Sequence, residues 1–153
     1  EYLAFIALLK TEACVGEKDR DSIQKLKQNR EVKGKYLKCI NSDAQLENCW
    51  GIIKKKLDER PLSENNTNNG RFPESQLKWW NCSSFAPASC NRVETGIKKG
   101  VLRGMSDWEN MVEFWYTIRN NMFHGTKDPE NDRDQFLVES GYKTLKPLMD
   151  VLI

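Results

Sequence analysis

Between Ser106 and Gly125 apolar residues recur at the spacing of an α-helix. Trp108, Met111, Val112, Trp115, Ile118 and Met122 fall on one stripe, which Phe114 and Phe123 widen. Ser106-Asp-Trp-Glu109 has the pattern of a capping box, where a serine and a glutamate three positions apart satisfy free backbone N–H groups, and it predicts where the helix starts. Gly125 supplies a stop. A stripe this broad cannot be covered by one neighbour, so the rest of the chain must supply several elements that pack against it.

The other segments carry the same period. Leu3, Phe5, Ile6, Leu8, Leu9 and Ala13 spread around most of a helix that Gly16 ends, the pattern of a buried central helix. From Asp19 to Ser22 the chain becomes amphipathic, with Ile23, Leu26 and the Lys27 stem facing inward. A break falls between Asn29 and Gly34, and Tyr36, Leu37 and Ile40 follow it. Ser42-Asp-Ala-Gln45 is another capping-box pattern, and Leu46, Cys49, Trp50, Ile53 and Leu57 then recur at helical spacing as far as Pro61. A last helix is expected after Asp132, burying Phe136, Leu137, Tyr142, Leu145, Leu148, Met149 and Leu152, with Pro147 kinking it or resetting its start. No segment reads best as a strand and no repeat is present. The fold class is all-α, a helical bundle of about five to seven helices.

Residues 61–75, Asn-rich and holding Pro61 and Pro73, read as a loop inside the domain. Too little chain follows for a second core, so residues 1–153 form a single domain. Gln76 to Trp80 reads as a helical turn that plants Trp79 and Trp80 in the core. Gly96, Gly100 and Gly104 would line one face of a helix through Val93, Ile97 and Val101, at a cost of about 1 kcal/mol each relative to alanine.

Charge and cysteine content narrow the function classes. Lysine and arginine number 24 against 22 acidic residues, so any site for a polyanion must be a local patch. Lys54-Lys55-Lys56 is a weak candidate, since lysines at a helix C-terminus also suit the helix dipole and solvent. Cys14, Cys39, Cys49, Cys82 and Cys90 are odd in number and form no C-x-x-C pair, and one histidine accompanies them. That set disfavours a disulfide framework and a zinc site, and fits reduced thiols in a cytoplasmic protein. No cofactor or metal is expected, and no apolar run reaches the roughly 18 residues of a membrane span. The apolar opening at Tyr2 to Leu9 lacks a basic leader and a cleavage site and reads as core rather than as a signal peptide. Asn65-Asn-Thr67 and Asn81-Cys-Ser83 match the glycosylation triplet, a pattern common by chance.

The only histidine, His124, stands at the end of the key helix in Arg119-Asn-Asn-Met-Phe-His124-Gly125. At about 100° per residue, Asn120 and His124 share a face, whereas Arg119 and His124 are separated by about 140°. Either the histidine leaves the helix at its frayed end, or the arginine and histidine meet through a second subunit. The dipole at a helix C-terminus favours imidazolium, suited to binding or protonating a phosphate ester. A lone histidine there is also an ordinary cap.

Arg119-Asn-Asn-Met-Phe-His124 resembles the signature of the HEPN superfamily: an arginine, a polar residue, a few further positions and a histidine. The lead-in Phe114-Trp-Tyr-Thr-Ile118, the following Gly125-Thr-Lys127 and the Arg133-Asp134 pair that opens the closing helix are similar too. The resemblance covers residues 105–153 and extends to the first helix. It implies a helical bundle that dimerises with its two motifs facing each other and, in many members, a metal-independent endoribonuclease of host defence or toxin-antitoxin systems. By that resemblance His124 is the acid-base group, Arg119 contacts the scissile phosphate and Asn120 orients the histidine or the RNA. The expected partners are RNA, a second copy of the chain and, in some settings, a nucleotidyltransferase-type antitoxin. The alternative is a non-catalytic module of the same fold that dimerises or binds a nucleotide or a partner protein.

Overall fold

A computed structural model describes residues 2–10, 18–60, 62, 100–123 and 130–153. Among these residues the chain is all-helical: α1 (Tyr2–Leu8), α2 (Asp19–Gln28), α3 (Arg30–Ser42), α4 (Ala44–Glu59), α5 (Trp108–Phe123) and α6 (Asp132–Leu152). None of these helices is long and apolar enough to cross a membrane.

Local chemistry sets the boundaries. The expected break between the second and third helices falls at Asn29, whose side chain accepts from the Val32 N–H at 3.1 Å and so caps α3. Gly34 is an ordinary residue within α3. The two expected capping boxes are corrected by one residue each. Asp43, not Ser42, caps α4, accepting from the N–H groups of Gln45 (2.9 Å) and Leu46 (3.2 Å). A carboxylate is the stronger acceptor, and Ser42 instead donates to the Cys39 carbonyl. Likewise α5 starts after Asp107, whose carbonyl accepts from Asn110 and Met111, rather than after Ser106. The Asp107 carboxylate turns back to take both the backbone N–H and the guanidinium of Arg103 and the amide of Asn110. Asn131 caps α6, which continues through Pro147 as one helix.

The glycine ladder does not form a helix where it is described. Gly100 has φ +72°, a left-handed conformation, and a Cβ there would collide with the Leu62 backbone. Leu62 N–H donates to the Gly100 carbonyl at 3.0 Å, so the glycine joins two passing strands of chain. Trp79, Trp80, Val93, Ile97, residues 63–75, Cys14, Cys82, Cys90 and both glycosylation triplets lie outside the described residues.

Helix α5 is the centre of the core. Trp108, Met111, Val112, Phe114, Trp115 and Ile118 are buried, and α1, α2 and α6 all pack against it. Helix α1 is one-sided rather than central: Phe5, Ile6 and Leu9 are buried while Ala4 and Ala7 face outward. Helices α3 and α4 pack on α6, which buries Leu137, Leu145 and Leu148 but leaves Tyr142 exposed and Phe136, Met149 and Leu152 half-buried.

Four aromatic rings meet at the centre. Trp115 contacts Tyr36, Trp50 and Trp108 with ring centroids 5.3, 5.5 and 6.2 Å apart, in edge-on geometries. Every polar atom these rings carry inward is matched. Trp50 Nε1 donates to the Tyr36 hydroxyl (2.9 Å), which donates to the Thr144 carbonyl (2.7 Å). Trp115 Nε1 donates to Thr144 Oγ1 (3.0 Å) and Trp108 Nε1 to the Leu26 carbonyl (3.3 Å). The relay ties α3, α4, α5 and α6 together, and burial pushes the Tyr36 phenol far above its usual range. Tyr36→Phe strands the Trp50 N–H in an apolar interior. A loss of about 1–3 kcal/mol in urea-melt stability is expected, with no change of fold.

Candidate functional site

Helix α2 runs antiparallel to α5. The Leu26 carbonyl meets Trp108 at one end, and Asp19 meets Arg119 at the other. Between these ends Glu113, which stands among Val112, Phe114 and Trp115, brings a carboxylate into the apolar interface with no solvent exposure. An isolated buried carboxylate is very costly, and α2 supplies the remedy. Arg20 Nη1 binds Glu113 Oε2 at 2.7 Å, and the buried Lys27 ammonium pairs with Oε1. Lys27 and Arg20 are seven residues apart on α2, two helical turns, so a single carboxylate grips both ends of that face. Burial pushes the Lys27 ammonium below its usual range, by more than Glu113 pulls it back. The expectation that the Lys27 stem faces inward thus holds, and the reason is an ion pair as much as packing.

The Arg20 guanidinium also lies over the Tyr116 ring, 5.3 Å from its centroid. Three turns of α5 therefore carry a sequence of polar contacts, from Asn110 through Glu113 and Tyr116 to Arg119. The last of these belongs to the motif.

Arg119 is held from three directions. Its Nη2 binds Asp19 Oδ2 at 3.0 Å, its Nη1 donates to Asn120 Oδ1 at 2.9 Å, and its guanidinium carbon sits 4.7 Å from the centre of the Phe123 ring. The remaining donor, Nε–H, is buried and has no hydrogen-bond partner among the described residues. Asp19 is shared: its other oxygen binds Lys10 Nζ at 2.6 Å. That hydrogen bond and the Arg119 charge hold the Asp19 carboxyl below its ordinary range, against the opposing effect of partial burial.

Of the three site residues expected from the sequence, Arg119 and Asn120 are in direct contact, and His124 lies outside the described residues. Met122 and Phe123, expected in the apolar stripe, are instead 44% and 62% exposed, so the apolar stripe closes at Ile118, while Asn121 of the same last turn stays buried. Trp115, expected in the apolar stripe, is fully buried and is core. The lysine run is a solvated face: Lys54 pairs with Asp58 and Lys56 with Glu59 along the surface of α4. Arg133 of the closing helix donates to the Arg60 carbonyl and so covers the end of α4. Among the described residues no three histidine, cysteine, aspartate or glutamate side chains converge as metal ligands.

Asp19, Lys10 and Glu113 were not read as site residues. Glu113 had a local signal, a single carboxylate in the run Met111 to Trp115. Asp19 and Lys10 had none, since their partners are set by tertiary pairing. No family model, curated protein or solved structure matches the chain.

Two outcomes test these ion pairs. Glu113→Gln leaves the buried Lys27 ammonium without its counter-charge and is expected to lower stability by about 3–5 kcal/mol, whereas joint replacement by Glu113→Leu and Lys27→Met recovers most of the loss. Chemical denaturation of the single and double variants measures both. For Asp19, the folded-state pKa lies below the ordinary 3.8, so its pairs contribute fully above that value and fade as pH falls through the lower, folded-state value. The stability gap between wild type and Asp19→Asn should hold from about pH 7 to about pH 5. It should shrink on acidification below 3.8.

Proposed function

We propose that this chain is a metal-independent endoribonuclease of the HEPN type, acting as a homodimer in host defence or a toxin-antitoxin system. One observation carries most weight beside the motif itself. Arg119 is fixed by Asp19, Asn120 and Phe123 at the emerging end of an otherwise buried helix, so its guanidinium is ordered without being lost in the core. An ordered cation at the rim of a rigid scaffold suits contact with a phosphate.

The reaction follows from what the residues can do. A base removes the proton of the ribose 2′-hydroxyl, whose oxygen attacks the adjacent phosphorus. The 5′-oxygen leaves with a proton from an acid, giving a 2′,3′-cyclic phosphate and a free 5′-hydroxyl. The chain has one histidine, so two copies facing each other supply the pair: His124 of one subunit as base and His124 of the other as acid. Arg119 stabilises the charge that grows on the non-bridging oxygens, and Asn120, bonded to it, sets its orientation. Cytoplasmic action and a nucleotidyltransferase-type antitoxin belong to the same reading.

The exposed Met122 and Phe123 favour a second reading, a non-catalytic module that uses this end of α5 to dimerise or to bind a nucleotide or partner protein. Incubation of the purified protein with RNA in EDTA separates the two. Cleavage with cyclic-phosphate ends is expected from wild type, and a loss of about a hundredfold or more from His124→Ala and from Arg119→Ala. RNA left equally intact by all three proteins would remove the nuclease reading. A verified heterodimer of the two variants keeps one His124 and one Arg119, and because the reaction draws its base and its acid from two histidines it should stay as inactive as either parent.

A further inference from the structure

Two cations converge on one carboxylate where α1, α2 and α5 meet. Lys10 Nζ and Arg119 Nη2 each contact a different oxygen of Asp19, at 2.6 and 3.0 Å. The N-terminus of α2, at Asp19 itself, adds the partial positive charge of the helix dipole. Asp19 meets Arg119 at Nη2, while the buried Nε–H has no hydrogen-bond partner among the described residues. The guanidinium is therefore held less firmly than in a two-pronged pair. Lys10 and Asp19 are both partly exposed, with side-chain accessibilities of 38% and 27%, so a solute anion can reach the same place.

We infer that Lys10 and Arg119 form a two-cation cradle for an RNA phosphate, and that Asp19 is its resident counter-ion, displaced when RNA binds. The inference rests on the nuclease reading for the identity of the anion, and assigns to that site a phosphate-binding residue, Lys10, and a built-in competitor, Asp19. A phosphodiester offers two non-bridging oxygens sharing one negative charge, as a carboxylate does, so the same donors fit either. The counter-ion keeps Arg119 ordered in the free protein. In the complex it faces the phosphate as a like charge and weakens binding, so the apo protein is stabilised by a group that lowers its affinity for substrate.

The test is equilibrium binding of a 2′-O-methyl RNA oligonucleotide, which cannot be cut by 2′-hydroxyl attack, at several salt concentrations. Asp19→Asn should bind about fivefold tighter than wild type, the change expected on removing one like charge near contact in water. Lys10→Gln should bind more weakly and lower the slope of log affinity against log salt by about 0.7, the value for one phosphate contact on a single strand. Equal or weaker binding by a folded Asp19→Asn, or no binding by any of the proteins, overturns the inference. If Asp19→Asn does not fold, Lys10→Gln decides alone: weaker binding with the reduced slope supports the cradle, and unchanged binding overturns it. Cleavage of unmodified RNA is scored separately. Binding that responds as described without any cutting removes the nuclease reading and leaves the cradle, and cutting without the binding response does the reverse.

Discussion

A carboxylate with no access to water sits at the middle of α5, and much of the structure follows from satisfying it. Glu113 takes Arg20 and Lys27 from α2, which fixes that helix in both register and direction along α5. With α2 so placed, its first residue, Asp19, lies beside Arg119 two turns further along, where the motif begins. A shift of α2 by one residue would rotate both cations away from Glu113 by about 100° and would carry Asp19 off Arg119. The buried pair is a weak source of net stability, because two charges must be dehydrated to form it. Its larger consequence is specificity: it admits one alignment of α2 and penalises the others.

The opposite side of α5 solves a similar problem with neutral groups. Trp115 brings an N–H donor inward and Tyr36 a hydroxyl, and each finds an acceptor on α6. Thr144 is the common point, receiving Trp115 at its hydroxyl and Tyr36 at its carbonyl, while its own hydroxyl proton goes to the Ser140 or Gly141 carbonyl. Here too the polar contacts select among packings that apolar area alone would leave nearly equivalent. The helix that bears Arg119 is thus located by ions on one side and by aromatic hydrogen bonds on the other, which holds it rigidly in place.

Helical periodicity was readable because burial imposes it directly: Leu46, Trp50, Ile53 and Leu57 on α4, or Trp108 to Ile118 on α5, repeat at the spacing of one helix face and are buried. Capping was readable to within a residue. Serine and aspartate stand side by side at positions 42–43 and 106–107, and pattern alone does not say which of two good acceptors the backbone uses. The glycine ladder misled because equal spacing fits a helix face, yet Gly100 is needed for a left-handed turn against Leu62, a constraint set by chain passing nearby. Met122 and Phe123 continue the apolar run of α5 yet are exposed, because hydrophobic pattern alone does not say where burial stops. In the site, Arg119 and Asn120 were visible as a motif. Asp19 was not, since it pairs with a residue 100 positions away that only the antiparallel fit of α2 on α5 brings near.

That long-range pairing also resolves the difficulty posed by charge. The chain as a whole is nearly balanced, with a formal excess of two positive charges, so attraction of a polyanion has to be local. Among the described residues, Lys10 and Arg119 pair with Asp19, and Arg20 and Lys27 with Glu113, along the α2–α5 seam. The two sets of pairs differ in their access to solvent. Glu113 and Lys27 are sealed from solvent and cannot exchange partners, whereas Asp19 and Lys10 are reachable. A buried pair holds the scaffold, and a pair of the same chemistry stands one helix end away, where solvent reaches it.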